Sequence, residues 1–221
     1  MNWDPRESMI EKRLKGVKKL AVVSAKGGVG KSTISAILAL ILRERARVGL
    51  LDLDAYNPSI PAILGIKELK IGEDRGIIPQ YFEGLYVLSF AHFTKERATP
   101  LRGKELSDAL KEILTATIWN VDLLIIDTPP GMGEATLELL RFFRDAKFLV
   151  VTTPSLLAEK ALEKEIELLG KEKVIGIIEN MSENGVRFSD IDRAYGDTEM
   201  LLKSDVAMDL KRMAEGLWKK L

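Results

Sequence analysis

The chain has 221 residues, with 33 Lys plus Arg against 33 Asp plus Glu, so its net charge is zero and gives no electrostatic case for nucleic acid as a bulk partner. Cysteine is absent and His92 is the one histidine, which excludes disulfides and the soft ligands that transition-metal sites need. No apolar run reaches membrane-spanning length and the start Met1 to Glu7 lacks the apolar core of a signal peptide, so a cytoplasmic location without stable membrane insertion is expected.

The length suits one α/β domain over residues 1–221, with a helical extension over 1–17 and a helical segment over 191–221. Charged residues make up 30% and Gln80 is the one glutamine, a bias common in proteins from hot environments. Ile10 and Leu14, one helical turn apart among charges, predict a short amphipathic helix within Pro5 to Lys15. An apolar strand, Leu20 to Ser24, then leads into Ser24-Ala25-Lys26-Gly27-Gly28-Val29-Gly30-Lys31-Ser32-Thr33 and a helix from Lys31 to about Arg45. A strand, a glycine-rich turn and a helix start form an anion site, because free backbone N–H groups converge there. Gly27, Gly28 and Gly30 let the backbone approach phosphates, Lys31 reaches the β and γ oxygens, and the Ser32 hydroxyl suits Mg²⁺.

A second apolar strand, Val48 to Leu53, ends in Asp52-Leu53-Asp54-Ala55-Tyr56-Asn57-Pro58-Ser59-Ile60-Pro61, two acids on the edge where ligands collect. Gly76 to Phe82 and Leu85 to Phe90, broken at Glu83-Gly84, predict a hairpin ending in a third central strand, with His92 just beyond it as a surface or hydrogen-bonded residue. Leu106, Leu110, Ile113 and Leu114 predict a helix within Lys104 to Trp119. The buried strand Val121 to Asp127 carries a carboxylate to the phosphate edge and continues as Thr128-Pro129-Pro130-Gly131-Met132-Gly133; Gly131 suits a close amide donor beside a γ-phosphate. A helix over Glu134 to Arg144, a strand over Ala146 to Val151, the turn Thr152-Thr153-Pro154-Ser155, a helix over Leu156 to Leu169 and a strand over Val174 to Ile178 follow. The last strand runs into Glu179-Asn180-Met181-Ser182. Val206, Leu210, Met213, Leu217 and Leu221 share one face of a final helix, read as packing on the sheet with a basic membrane-facing tail as the alternative.

The string from Lys26 to Thr33, with its early lysine, resembles the deviant Walker A box of the MinD, ParA and Mrp ATPases, and the segments after Asp52 and Asp127 resemble the Mrp forms of switch I and switch II. The resemblance implies a doubly wound, mostly parallel α/β sheet with helices on both faces, binding ATP or ADP with Mg²⁺ as an ATP-dependent homodimer. It implies Gly27, Gly28, Val29, Gly30, Lys31, Ser32 and Thr33 as the phosphate loop, and Lys26 as a charge supplied across the dimer. It further implies Asp54 orienting water, Ser32, Asp54 and Asp127 on Mg²⁺ directly or through water with Asp52 supporting that shell, and Asn180 on the adenine edge. Where Mrp scaffolds continue with C-x-x-C after this motif, the chain reads Glu183-Asn184-Gly185-Val186-Arg187-Phe188-Ser189, so no iron–sulfur cluster is expected on it. Cysteine-free relatives of Mrp are similar to archaeal counterparts of HypB, which implies nickel delivery with the metallochaperone HypA for [NiFe]-hydrogenase maturation; the alternative is a MinD- or ParA-like positioning ATPase on membrane or nucleoid.

Overall fold

The computed structural model describes residues 4–94, 104–133, 136–137, 140–154, 156–181, 191 and 193–221. Helix α1 (Pro5–Arg13) starts at an Asp4 cap with proline in its first turn and buries Ile10. Strand β1 (Lys18–Val23) follows, then α2 (Lys31–Leu42), β2 (Val48–Asp52) and the one-turn α3 (Ile60–Leu64). Short strands β3 (Gly72–Glu73) and β4 (Ile77–Ile78) pair with each other, and β5 (Gln80–Phe82) and β6 (Leu85–Ser89) form an antiparallel hairpin. Its two-residue turn holds Glu83 and Gly84 at φ of 47° and 79°, the left-handed pair that a tight hairpin turn requires. Then come α4 (Ala91–Thr94), α5 (Lys104–Ala116), β7 (Leu123–Asp127), β8 (Lys147–Thr152), α6 (Leu156–Leu169), β9 (Val174–Glu179), α7 (Thr198–Lys203) and α8 (Asp205–Lys220).

The sheet order is β5-β6-β2-β7-β1-β8-β9, parallel throughout except for the edge strand β5. The expected hairpin therefore forms, but β6 lies beside β2 near the edge, and its first arm splits between β4 and β5. The expected doubly wound architecture is the one observed, and strand alternation shows why both faces are covered. Leu20 and Val22 of β1 point into a core shared with α2, α3, α7 and α8, while Ala21 and Val23 point into one shared with α1, α5 and α6. The chain crosses from β1 out to β2 and β6 and returns to lay β7 between β1 and β2. That return brings the carboxyl ends of β1, β2 and β7 side by side, the position where open α/β sheets collect ligands.

The closing helix α8 packs on α2 and β9, with Val206, Leu210, Ala214 and Leu217 each at most 3% exposed. Its apolar face is spent on the core, as the packing reading expects. No helix among the described residues is long and apolar enough to cross a membrane. Ser155, Ser182, the segment Glu183 to Ser189 and part of the helix expected over Glu134 to Arg144 lie outside the described residues; near the end of that last stretch a 3₁₀ turn, Arg141–Phe143, buries Phe142 and Phe143.

Leu210→Ala, at a 2% exposed position, is expected to cost about 2–5 kcal/mol of unfolding free energy in urea titrations, whereas Met208→Ala on the exposed side of α8 should change it by less than about 0.5 kcal/mol.

Candidate functional site

The loop after β1 reaches α2 through Gly28 and Gly30, both in the left-handed region at φ of 75° and 83°. Gly30 caps α2 without a side-chain hydrogen bond, and Ile34 is the first residue whose N–H closes onto the helix, at 3.0 Å from the Gly30 carbonyl. The N–H groups of Lys31, Ser32 and Thr33 thus open onto the loop at the positive end of the helix. Beneath them the carboxylate of Asp127, wholly buried, gathers three donors. Lys31 Nζ donates to Oδ1 at 2.7 Å, Ser32 Oγ to Oδ2 at 2.6 Å and Ser35 Oγ to Oδ1 at 2.9 Å. Ser35 is absent from the sequence-predicted set, although a serine one turn after Lys31 on a helix face otherwise all apolar was its signal.

Asp52 and Asp127 are opposite in register on β2 and β7. Asp52 faces inward: its carboxylate accepts from Ser89 Oγ at 2.9 Å, Asp54 N at 3.1 Å and Ile60 N at 3.3 Å, which ties down the start of the following segment. Burial, then the neighbouring Asp127 charge, push its carboxyl up to about 8. The side chain expected to support the metal shell is thus held by this turn at 1% exposure and, like that of Asp127, is not among the residues that line the cavity. Asp54 does line it, with Oδ1 accepting from Tyr56 N at 3.2 Å and Asn57 N at 3.0 Å.

Two other predicted groups have partners within the chain in this conformation. Gly131 sits at φ 84° next to the loop, but its N–H donates to the Ser24 carbonyl at 2.9 Å, so in this conformation it is not aimed at a γ-phosphate. Asn180, at the end of β9 and fully buried, spends its amide donor on the Val29 carbonyl at 2.6 Å. Its Oδ1 has no hydrogen-bond partner among the described residues. Lys26 stands exposed on the rim, and its ammonium meets no hydrogen-bonding or ionic partner among the described residues. The lone histidine, His92, is hydrogen-bonded at both ring nitrogens: Nδ1 meets the Ser89 backbone and Nε2 meets Gln80 Oε1 at 3.1 Å, and burial holds its pKa below the ordinary value.

Loop, Asp54 segment and Pro129–Gly133 segment enclose a cavity of about 610 Å³, to which Tyr195 adds a wall from far along the chain. Its size, the glycine cradle and uncapped helix start fit a polyphosphate. Asn180 is buried and is not among the lining residues, whereas the oxygen set of Ser32 and Asp127 fits a hard cation such as Mg²⁺.

The family described as NUBPL iron-transfer P-loop NTPase matches residues 16–195. The chain belongs to this family. It is 42% identical over 175 residues to the iron-sulfur cluster carrier protein of Rickettsia felis, covering 76% of this chain and 55% of that one. To the iron-sulfur cluster carrier protein of Pseudomonas fragi it is 44% identical over 172 residues, 74% of this chain and 60% of the relative. A cytosolic Fe-S cluster assembly factor Nubp2 homolog of Drosophila pseudoobscura is 39% identical over 176 residues, 74% of this chain and 68% of the relative. The chain spans 55–59% of the length of the first two Rickettsia carriers it matches. Among solved structures, a nucleotide-binding protein from Archaeoglobus fulgidus in complex with ADP superposes with a TM-score of 0.67 at 27% identity, covering 95% of this chain and 92% of that one. The Pyrococcus furiosus cell division ATPase MinD, at TM-score 0.61 and 21% identity over 92% of this chain and 99% of its own, shares the fold.

This Mrp/MinD-type P-loop NTPase is therefore placed among relatives named for iron–sulfur clusters. The expected role in nickel delivery with HypA is overturned by those names, which recur across bacterial carriers and the insect assembly factor, and the alternative of a positioning ATPase finds no support in them. NUBPL-type membership meets one chemical obstacle: these 221 residues contain no cysteine thiolate to ligate a cluster.

Behind the loop, Glu165 of α6 is 2% exposed and its Oε1 has no hydrogen-bond partner among the described residues. Burial pushes its carboxyl from 4.5 up to about 7, against a smaller downward pull from the Ala25 N–H. The folded chain then keeps a proton that the unfolded chain gives up above about pH 4.5, so this group's contribution to stability falls as pH rises toward about 7 and stays lost above it. Glu165→Gln should flatten the fall of Tm between about pH 5 and about pH 8 and raise Tm at the alkaline end, measured by thermal melts across that range.

Proposed function

We propose that residues 1–221 act as one Mg·ATP-dependent switch domain in iron–sulfur cluster assembly, hydrolysing ATP as a homodimer while the cluster's ligands come from outside these residues. The observation that carries the reading is the buried Asp127 carboxylate shared by Lys31 and Ser32 directly under an open phosphate loop, in a chain of the iron-transfer family. The cysteine-free composition supports the second half, because a cluster needs soft ligands that this chain lacks.

In this reading the loop N–H groups and Lys31 hold the β- and γ-phosphates, and Asn180 Oδ1 accepts from the adenine amine. Ser32 and Asp127 hold Mg²⁺, which supplies charge neutralisation at the phosphates when bound. Asp54 orients a water whose oxygen bonds to the γ-phosphorus as the bond to the β–γ bridging oxygen breaks, giving ADP and phosphate. Lys26 reaches from the rim to the phosphates held by a second copy and offsets the charge that spreads over the transferring group. The Gly131 N–H exchanges the Ser24 carbonyl for the γ-phosphate, so the segment after Asp127 moves between the two nucleotide states. The output of turnover is that movement, transmitted to a cysteine-bearing partner that holds the cluster as cargo.

Phosphate-release assays are expected to show Asp54→Asn and Lys26→Ala slowed by about 100-fold or more with ATP binding retained. In light scattering, wild-type chain should dimerise with ATP and not with ADP. Incubation with iron and sulfide should leave the isolated chain without a cluster absorption band, whereas addition of ATP and this chain should speed cluster loading of a thiolate-bearing acceptor. A stoichiometric cluster on the chain by itself, or acceptor loading indifferent to ATP, would overturn the reading.

A further inference from the structure

The nucleotide cavity has one wall that lies outside every recognised motif. Tyr195 follows β9 by a long connection and precedes α7, yet its hydroxyl is 2.8 Å from Thr33 Oγ1 in the first turn of α2. Thr33 is 3% exposed, whereas Tyr195 is 38% exposed and its side faces the cavity. The hydroxyl is thus tethered to Thr33 and the residue lines the cavity.

The tyrosine is also held firmly from behind. Ile191 and Ala194 are buried in the core on the α2 side, at 2% and 3% exposure. The Gly196 N–H donates to the Ile63 carbonyl of α3 at 3.0 Å. Gly65, at φ 79°, lies so close that a Cβ there would fall 2.4 Å from the Gly196 carbonyl oxygen. Two backbones in contact at a pair of glycines, plus Asp197 capping α7 through the N–H groups of Glu199 and Met200, fix the tyrosine between α2 and α3.

Position along the loop says which part of a ligand it meets. In a strand–loop–helix of this kind the lysine and the following hydroxyl serve the β- and γ-phosphates and the metal. The N–H of Thr33, one residue later, would then serve the α-phosphate, and beyond it the phosphate chain hands over to the sugar. The nucleotide-binding reading puts the base at Asn180, whose amide is held by the Val29 carbonyl of the loop. A rigid aromatic ring with a polar tip, standing at the sugar position with its orientation set by a hydrogen bond, suits recognition of the apolar edge of a ribose.

We infer that Tyr195 is a specificity residue for the nucleoside half of ATP and ADP, its ring packing on the ribose while Thr33 holds its hydroxyl. This rests on the nucleotide-binding reading above and assigns the part of the ligand that the phosphate loop does not contact. It also makes the C-terminal third of the chain a contributor to nucleotide choice, through a residue outside the strand ends that carry the rest of the site.

Calorimetric titration of the full chain with ATP, ADP and inorganic tripolyphosphate, each with Mg²⁺, separates the two halves of the ligand. Tyr195→Ala is expected to weaken ATP and ADP by about fivefold to tenfold and to leave tripolyphosphate within about twofold of wild type. Tyr195→Phe, which keeps the ring and loses the tether, should fall between them for the nucleotides, and thermal melts should show both variants folded. Equal ATP affinity in Tyr195→Ala and wild type would overturn the inference, as would a loss of tripolyphosphate binding as large as the loss of ATP. Wild-type chain that bound tripolyphosphate but neither nucleotide would instead overturn the nucleotide reading itself.

Discussion

The burial of one carboxylate organises this structure. Asp127 ends a strand with both neighbours in place and no access to water, so its charge must be met inside the protein. Lys31, Ser32 and Ser35 meet it from successive positions along the first turns of α2. Those three contacts fix the rotation of α2 about its axis, and that rotation aims its open first turn at the loop. A buried pair of this kind earns little net stability, since desolvation offsets the attraction, but it penalises every other register of helix on sheet. The binding site and the packing of the central helix are therefore one arrangement.

A second carboxylate, Asp52, lies beside it in register and is treated in the opposite way. It has no ion pair among the described residues; a serine hydroxyl and two backbone N–H groups surround it, and its pKa is raised. The two acids divide roles by environment: one is exposed to the lysine of the loop, the other anchors the segment that begins at Asp54. Through Ser89 the anchor continues to His92 and Gln80, and Gln80 bonds the backbone at Glu68 and Lys70. The lone histidine and lone glutamine of the chain are thus spent on holding one loop to the sheet edge.

The correction of cargo has a physical lesson. The missing cysteines say that this chain has no thiolates of its own for a cluster, and nickel followed only from the resemblance to cysteine-free relatives of Mrp, so which metal a chain ligates and which it serves are two questions. The relatives named for iron–sulfur clusters separate those questions. A switch whose output is a change of shape transmits that change through contact surfaces, and none of its residues needs affinity for the metal. Motifs at the phosphate edge are shared by switches with different cargoes, so those motifs alone could not choose between them.

Sequence alone determined the phosphate loop, the acid at the end of the central strand and the alternation that calls for a sheet covered on both faces. Each is written in contiguous residues, where spacing is geometry. It also placed Asn180 and Asp54 at strand ends, without saying which of their atoms would be free. Only the tertiary structure decided that Asp52 faces inward, that Ser35 shares Asp127, that the Gly131 N–H rests on Ser24 and that the Asn180 amide donor rests on Val29. It alone brought Tyr195 to Thr33. Those outcomes depend on which segments the crossovers of the sheet bring within hydrogen-bond distance, and a donor or acceptor has no assigned partner until the chain has closed around it.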